Sequence, residues 1–157
     1  PSQRGPKGEP PLFTDFTYDN LGVPRNPANP FYGQDKAHNP DGQRFVDRGL
    51  GAAVNKPAED GKFKVPTLRN IARTAPYMHN GYFTTLRGAV AFYNDRDVRK
   101  RCPKDLPEAE ANRRKCWPAP EVAANVNTDE LGRLGLSERE VDDIVAFLRT
   151  LDDGYLK

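Results

Sequence analysis

Apolar positions along the chain fall into two regimes. Up to about residue 40 they stand singly (Leu12, Phe13, Phe16, Leu21, Val23, Phe31) among turn signals at Gly5-Pro6, Pro10-Pro11, Pro24, Asn26-Pro27, Asn29-Pro30 and Asn39-Pro40. Asn-Pro pairs start turns, and the residue before each proline is pushed out of the helical region. The stretch 1–40 therefore predicts an ordered loop wrapped around something apolar, with a disordered arm as the bland alternative. Further on, helical spacing takes over. Residues 66–73 suit a short helix with Pro66 at its first position. Leu86, Ala89, Val90 and Tyr93 fall at i, i+3, i+4 and i+7, predicting a helix over 85–94 that buries Tyr93 and is capped by Thr84 or Thr85. The strongest pattern runs over 138–151. Ser137 and Glu140 form a capping box there, Leu136 and Val141 are placed as a staple, and the stripe is Val141, Ile144, Val145, Leu148 and Leu151. No useful alternating stretch and no repeat occurs, so the class predicted is mainly α.

Between the last two helices lies a loop-rich, insertion-like stretch, 95–135, with both cysteines and the only tryptophan. Within 96–115 it carries eight basic side chains (Arg96, Arg99, Lys100, Arg101, Lys104, Arg113, Arg114, Lys115) against four acidic ones. A solvated face is the plain reading, and a docking surface for an acidic partner the sharper one.

Composition narrows the picture. With 157 residues the chain is expected to form one domain, 1–157, around a single core. Fifteen prolines argue against a coiled coil, and no apolar run approaches the roughly 18 residues of a membrane span. Eight Phe, six Tyr and one Trp are anchors that disordered chains lack. A core this sparse needs help, from a cofactor, metal or partner. A net charge of +2 is too small to imply nucleic acid. Cys102 and Cys116 are too few for a zinc site but could close one disulfide. Pro1 reads as the start of a processed or truncated piece, so a missing leader says nothing of compartment.

Two histidines cannot make a histidine-rich metal site, and no catalytic triad, P-loop or dinucleotide turn is present. His38 stands in a turn and reads as a surface residue. His79 lies in Thr74-Ala-Pro-Tyr-Met-His-Asn-Gly81, where Met78 or His79 could be a soft metal ligand. The alternative is a buried loop corner.

Three segments carry a resemblance: Pro11-Leu-Phe-Thr-Asp-Phe-Thr-Tyr-Asp-Asn-Leu-Gly-Val-Pro24, Gly61-Lys-Phe-Lys-Val-Pro-Thr-Leu-Arg-Asn70 and the Thr74–Gly81 run. Together they resemble the C-terminal haem domain of the bacterial di-haem cytochrome c peroxidase/MauG family, over about 11–93, with the closing helix 137–151 similar too. The resemblance implies a cytochrome c-like domain with long ordered loops holding haem c. It implies a periplasmic peroxidase-type oxidoreductase acting on hydrogen peroxide, in which this piece would hold the low-spin electron-transfer haem. Its sixth ligand falls seventeen positions beyond Pro76, at Tyr93, with Met78 as rival because thioether ligation is more usual. A tyrosinate favours ferric iron, and so a MauG-like oxidant of a protein residue. The resemblance also places His79, Phe13, Leu21, Pro24, Val65 and Leu68 beside the haem, sets Arg69 against a propionate, and assigns the backbone carbonyls of Thr74 and Pro76 to calcium. An oxidising periplasm favours a Cys102–Cys116 bond.

One feature departs from the family. No Cys-x-x-Cys-His motif occurs. The chain thus looks like a C-terminal piece whose expected partners are the missing Cys-x-x-Cys-His segment, an N-terminal haem domain, and a redox donor or protein substrate. The alternatives are a pure electron-transfer cytochrome and a haem-free binding module.

Overall fold

A computed structural model describes Gly8 and residues 11–154; the turn signals at Gly5-Pro6 and at Pro10 lie outside them. The longest elements are two helices. For α2 (Leu86–Asp95), after a short α1 (Leu50–Val54), the Thr85 hydroxyl accepts the Gly88 N–H at 3.0 Å. In α4 (Glu138–Arg149) the capping box is closed: Ser137 Oγ accepts the Glu140 N–H, and the Ser137 N–H donates to Glu140 Oε2 at 2.8 Å. Val141 and Val145 are its buried residues. Arg87 joins α2 to α4 through Asp142, at 2.8 Å, and Glu138.

The predicted stripe of α2 is displaced. Its buried residues are Gly88, Ala89 and Phe92, whereas Leu86, Val90 and Tyr93 stay half-buried. Tyr93 is one position, about 100°, round from Phe92. Phe92 takes the core because Trp117, from a distant segment, meets it edge-on with ring centroids 5.3 Å apart.

The short helix expected over 66–73 also differs. Only Ile71–Arg73 is helical, as a 3-10 segment, and it follows Asn70 in the left-handed region, φ 59°. Residues 63–69 are engaged elsewhere. β1 (Tyr18–Asp19) pairs antiparallel with β2 (Phe63–Lys64), Thr14 Oγ1 donates to the Val65 carbonyl at 2.7 Å, and Arg69 Nε donates to the Pro11 carbonyl at 2.8 Å. A helix would forfeit these bonds. Most of the described chain is loop and turn, so "mainly α" holds for the long elements only.

The loops are ordered by asparagines that take the place of a β-ladder. Asn20 Nδ2 donates to the carbonyls of Val122 and Ala124, and Asn39, wholly buried, donates to those of Phe31 and Gly42. Each satisfies backbone groups that an irregular segment would leave orphaned.

The stretch 95–135 is packed into the centre. It holds α3 (Glu108–Arg113) and a parallel pair, β3 (Lys100–Arg101) with β4 (Cys116–Trp117), closed by the Cys102–Cys116 disulfide. Trp117 is 0% exposed among Phe83, Phe92 and Tyr82. Its indole N–H donates to Asp95 Oδ1 at 2.8 Å, and the Arg99 guanidinium lies 4.6 Å over its ring. Much of the basic run serves the fold. Arg96 is buried and donates to Asp97 and to the carbonyls of Leu21 and Asn127, while Arg113 and Arg114 hold the Glu110 carboxyl down at about 2. No described helix is long and apolar enough to cross a membrane.

Candidate functional site

Tyr93 lies in the last turn of the capped helix α2, and a clasp from outside the helix fixes its backbone. Its carbonyl accepts the Gly132 N–H at 2.7 Å, and Asp97, four residues on, donates its N–H to the Gly132 carbonyl. Gly132 has φ +94°, and a Cβ there would collide with the Asp97 carboxylate, so only glycine suits this clasp. The Tyr93 hydroxyl makes no hydrogen bond to the described residues. Burial, reinforced by the Asp19 charge, pushes its pKa up to about 12. Without a cation beside it, this phenol keeps its proton.

Next to the Asp19 end of the site runs the strip formed by 11–19 and 63–69. Its apolar side chains are poorly covered. Leu12 is 41% exposed, Phe16 61% and Tyr18 47%, and Phe13, Val65 and Leu68 are half-buried. Phe13 and Phe16 both adopt positive φ, 52° and 64°, which bulky residues rarely do. Arg69, tied through Nε to the Pro11 carbonyl, lies on the same strip.

Other residues singled out in the sequence lie apart. Pro24 is fully enclosed by protein, its carbonyl held by Asn80 Nδ2 at 2.8 Å. Leu21 and Met78 pack against the aromatic core. Met78 sits in the Pro76–Gly81 turn with φ 69°. His79 stacks face to face on Phe63, centroids 3.6 Å apart, with Nε2 3.9 Å from Glu121 Oε2. His38 is a surface residue paired with Asp35. Thr74 and Pro76 are exposed residues; their carbonyls accept no hydrogen bond among the described residues and flank the cis Ala75–Pro76 peptide.

Sequence reasoning missed Glu121, Tyr32 and Asp47. The Tyr32 hydroxyl donates to Glu121 Oε1 at 3.1 Å, 89 positions away, and no local spacing announces such a pair.

The donor set fits a haem in part. One phenol oxygen without a partner among the described residues and an exposed apolar strip suit an axial ligand and a porphyrin wall. Covalent attachment is another matter. Both cysteines are spent on the disulfide, so neither can carry a haem thioether.

No family model matches the chain. It is 45% identical over 144 residues to methylamine utilization protein MauG of Paracoccus denitrificans, covering 90% of this chain and 35% of that protein. It is 33% identical over 153 residues to cytochrome-c peroxidase IdrP1 of Denitromonas iodatirespirans, covering 90% and 34%. Among solved structures, a variant of the diheme peroxidase BthA from Burkholderia thailandensis superposes with TM-score 0.62 at 33% identity, over 96% of this chain and 35% of that one. The chain spans about a third of the length of the relatives it matches.

Proposed function

The chain belongs to the bacterial di-haem cytochrome c peroxidase/MauG family, and from that premise we propose that it builds the pocket of a low-spin haem c with Tyr93 as sixth ligand. The longer protein would be a periplasmic oxidoreductase that reduces hydrogen peroxide in its N-terminal haem domain.

When bound, the haem would supply a ferric centre that exchanges single electrons with the rest of the protein. The part played by this chain follows from its own residues. Tyr93 offers an oxygen from a rigid helix, and rigid elements hold ligands more reliably than loops. Its proton must leave on ligation, and burial and the Asp19 charge oppose that unless a cation compensates. The exposed side chains of Leu12, Phe16 and Tyr18 would lie against the porphyrin and exclude water from it. Arg69 would meet a propionate with the guanidinium nitrogens its Pro11 bond leaves over. His79 would stand beside the haem, held flat by Phe63. Met78 is the weaker ligand, because it is already packed against the aromatic core.

The observation that carries the reading is the Tyr93 hydroxyl: half-buried, without a protein partner and held protonated by its surroundings. Optical and EPR spectra of the haem-loaded, full-length protein test it. Tyr93→Phe is expected to turn the low-spin haem high-spin, and Met78→Leu to leave it low-spin. The opposite pattern would overturn the assignment, and with it the preference for a MauG-like oxidant of a protein residue. A full-length protein without haem absorbance would instead point to a binding module.

Calcium belongs to the same proposal. The free carbonyls of Thr74 and Pro76 are hard oxygen donors and would complete their shell from the N-terminal domain. Exhaustive chelation is then expected to perturb the haem spectrum, and an unchanged spectrum counts against the ion.

A further inference from the structure

A second cleft lies between the 29–47 loops and the segments around Asn80 and Glu121, and it meets the strip only at its floor, where Glu121 and Asp47 also border Phe63 and His79. It encloses about 190 Å³, near six water-sized places at roughly 30 Å³ each. Two carboxylates, Glu121 and Asp47, line it with the rings of Phe31, Tyr32 and Phe45, and no basic residue does.

Glu121 is the unusual member. Its side chain is 4% exposed. Oε1 accepts the Tyr32 hydroxyl, but Oε2 is buried with no hydrogen-bond partner among the described residues. His79 Nε2, at 3.9 Å, is close enough for an ion pair when protonated but beyond hydrogen-bond reach, so the donor site on Oε2 stays unfilled. Arg25 does not neutralise it by contact: its guanidinium lies 4.0 Å over the Tyr32 ring and donates to the Gln43 carbonyl. A buried carboxylate oxygen left unpaired is costly, and a donor from outside the chain would remove that cost.

The lining decides which donor fits. An anion is repelled by both carboxylates. A divalent metal ion wants more hard oxygens than two carboxylates supply, and no described group of three or more His, Cys, Asp or Glu side chains could hold a metal. The aromatic walls offer such an ion nothing. A compact organic cation uses every wall: its N–H groups meet Asp47 at the open side and reach Glu121 Oε2 once a turn of that carboxylate opens the enclosed oxygen to the cleft, and its carbon chain lies against rings whose faces attract positive charge. The geometry points to a binding site for a primary ammonium group on a short alkyl chain, either a free amine or a lysine side chain.

Calorimetry on the full-length holoprotein with n-propylammonium tests this, with n-propanol as the neutral control of similar shape. Saturable binding of the ammonium and none of the alcohol is expected. Glu121→Gln should weaken it by at least roughly tenfold, as loss of one charge-assisted hydrogen bond implies. Should Glu121→Gln not fold, Asp47→Asn, at the open side, should still weaken binding measurably. If propylammonium does not bind, a crystal structure of the full-length protein with a lysine ammonium on Glu121 Oε2 also supports the site. The proposal falls if neither occupant is found, if propanol binds equally well, if Glu121→Gln leaves affinity unchanged, or if calcium occupies the cleft instead.

Discussion

The surroundings of Trp117 and the strip beside Tyr93 are both rich in aromatic residues, yet they are finished to different degrees. Around Trp117 every large ring is enclosed: Phe83, Phe92 and Trp117 are each 0% exposed, and the indole N–H has its carboxylate. Along the strip, Phe16 is 61% exposed, and the Tyr93 hydroxyl, within range of the strip's Asp19 charge, has no partner among the described residues. One region is closed by the chain's own side chains, and the other leaves large apolar side chains uncovered. The contrast argues that the core is not sparse so much as concentrated around Trp117, and under the proposed reading the uncovered strip is where a haem would rest.

The sharpest way to break that comparison is a pair of truncations. Trp117→Ala removes the centre of the closed region and should cost about 3–5 kcal/mol. Phe16→Ala, on the open strip, should change stability of the haem-free chain by about 0.5 kcal/mol or less. Denaturant melts of both variants measure this, and equal losses would show that the strip carries the fold too. Replacing Cys102 and Cys116 by serine comes next. The bond closes a loop of 14 positions beside β4, and losing it should lower stability by about 3 kcal/mol on the chain-entropy estimate. The effect should be read in the melting temperature and leave the Tyr93 region unchanged.

Acid gives the smallest effect. Hydrogen bonds from buried Arg96 hold the Asp97 carboxyl below its ordinary value of 3.8. A lowered folded-state pKa adds stability that is complete above the unfolded value and is lost as pH falls through the folded one. Wild-type protein should therefore lose stability below about pH 4, and Asp97→Asn should flatten that slope. Hydrogen exchange at Gly132, clasped to Tyr93 and Asp97, reports whether acid loosens the Tyr93 helix with it.

Capping, turn chemistry and motif register were legible in the chain, each for a local reason. The Ser137–Glu140 box needs residues three apart, Asn-Pro turns need two neighbours, and the Thr74–Gly81 run carried the family before any coordinates. Reading 66–73 as a helix failed because Pro66 permits a helix start but the chain at 11–19 offers better partners for the backbone there. Tyr93 sits at the edge of the buried face of α2 and not at its centre because two apolar faces compete on that helix. The winner is decided by Trp117, more than twenty positions away.

What the sequence determined by itself is therefore what lies within about one turn of each residue: the two long capped helices, the punctuated loops, and the segments by which the family is recognised. The Cys102–Cys116 pair was available to it only because no other cysteine competes. Tertiary structure alone decided which face of α2 is core, that the stretch 95–135 supplies its centre, and that Tyr32, Glu121 and Asp47 share one cleft. These rest on contacts such as Tyr32 to Glu121 and Asn20 to Ala124, 89 and 104 positions apart. Hydrophobic burial rewards total area without regard to which segment supplies it, so spacing along the chain cannot say which partner arrives.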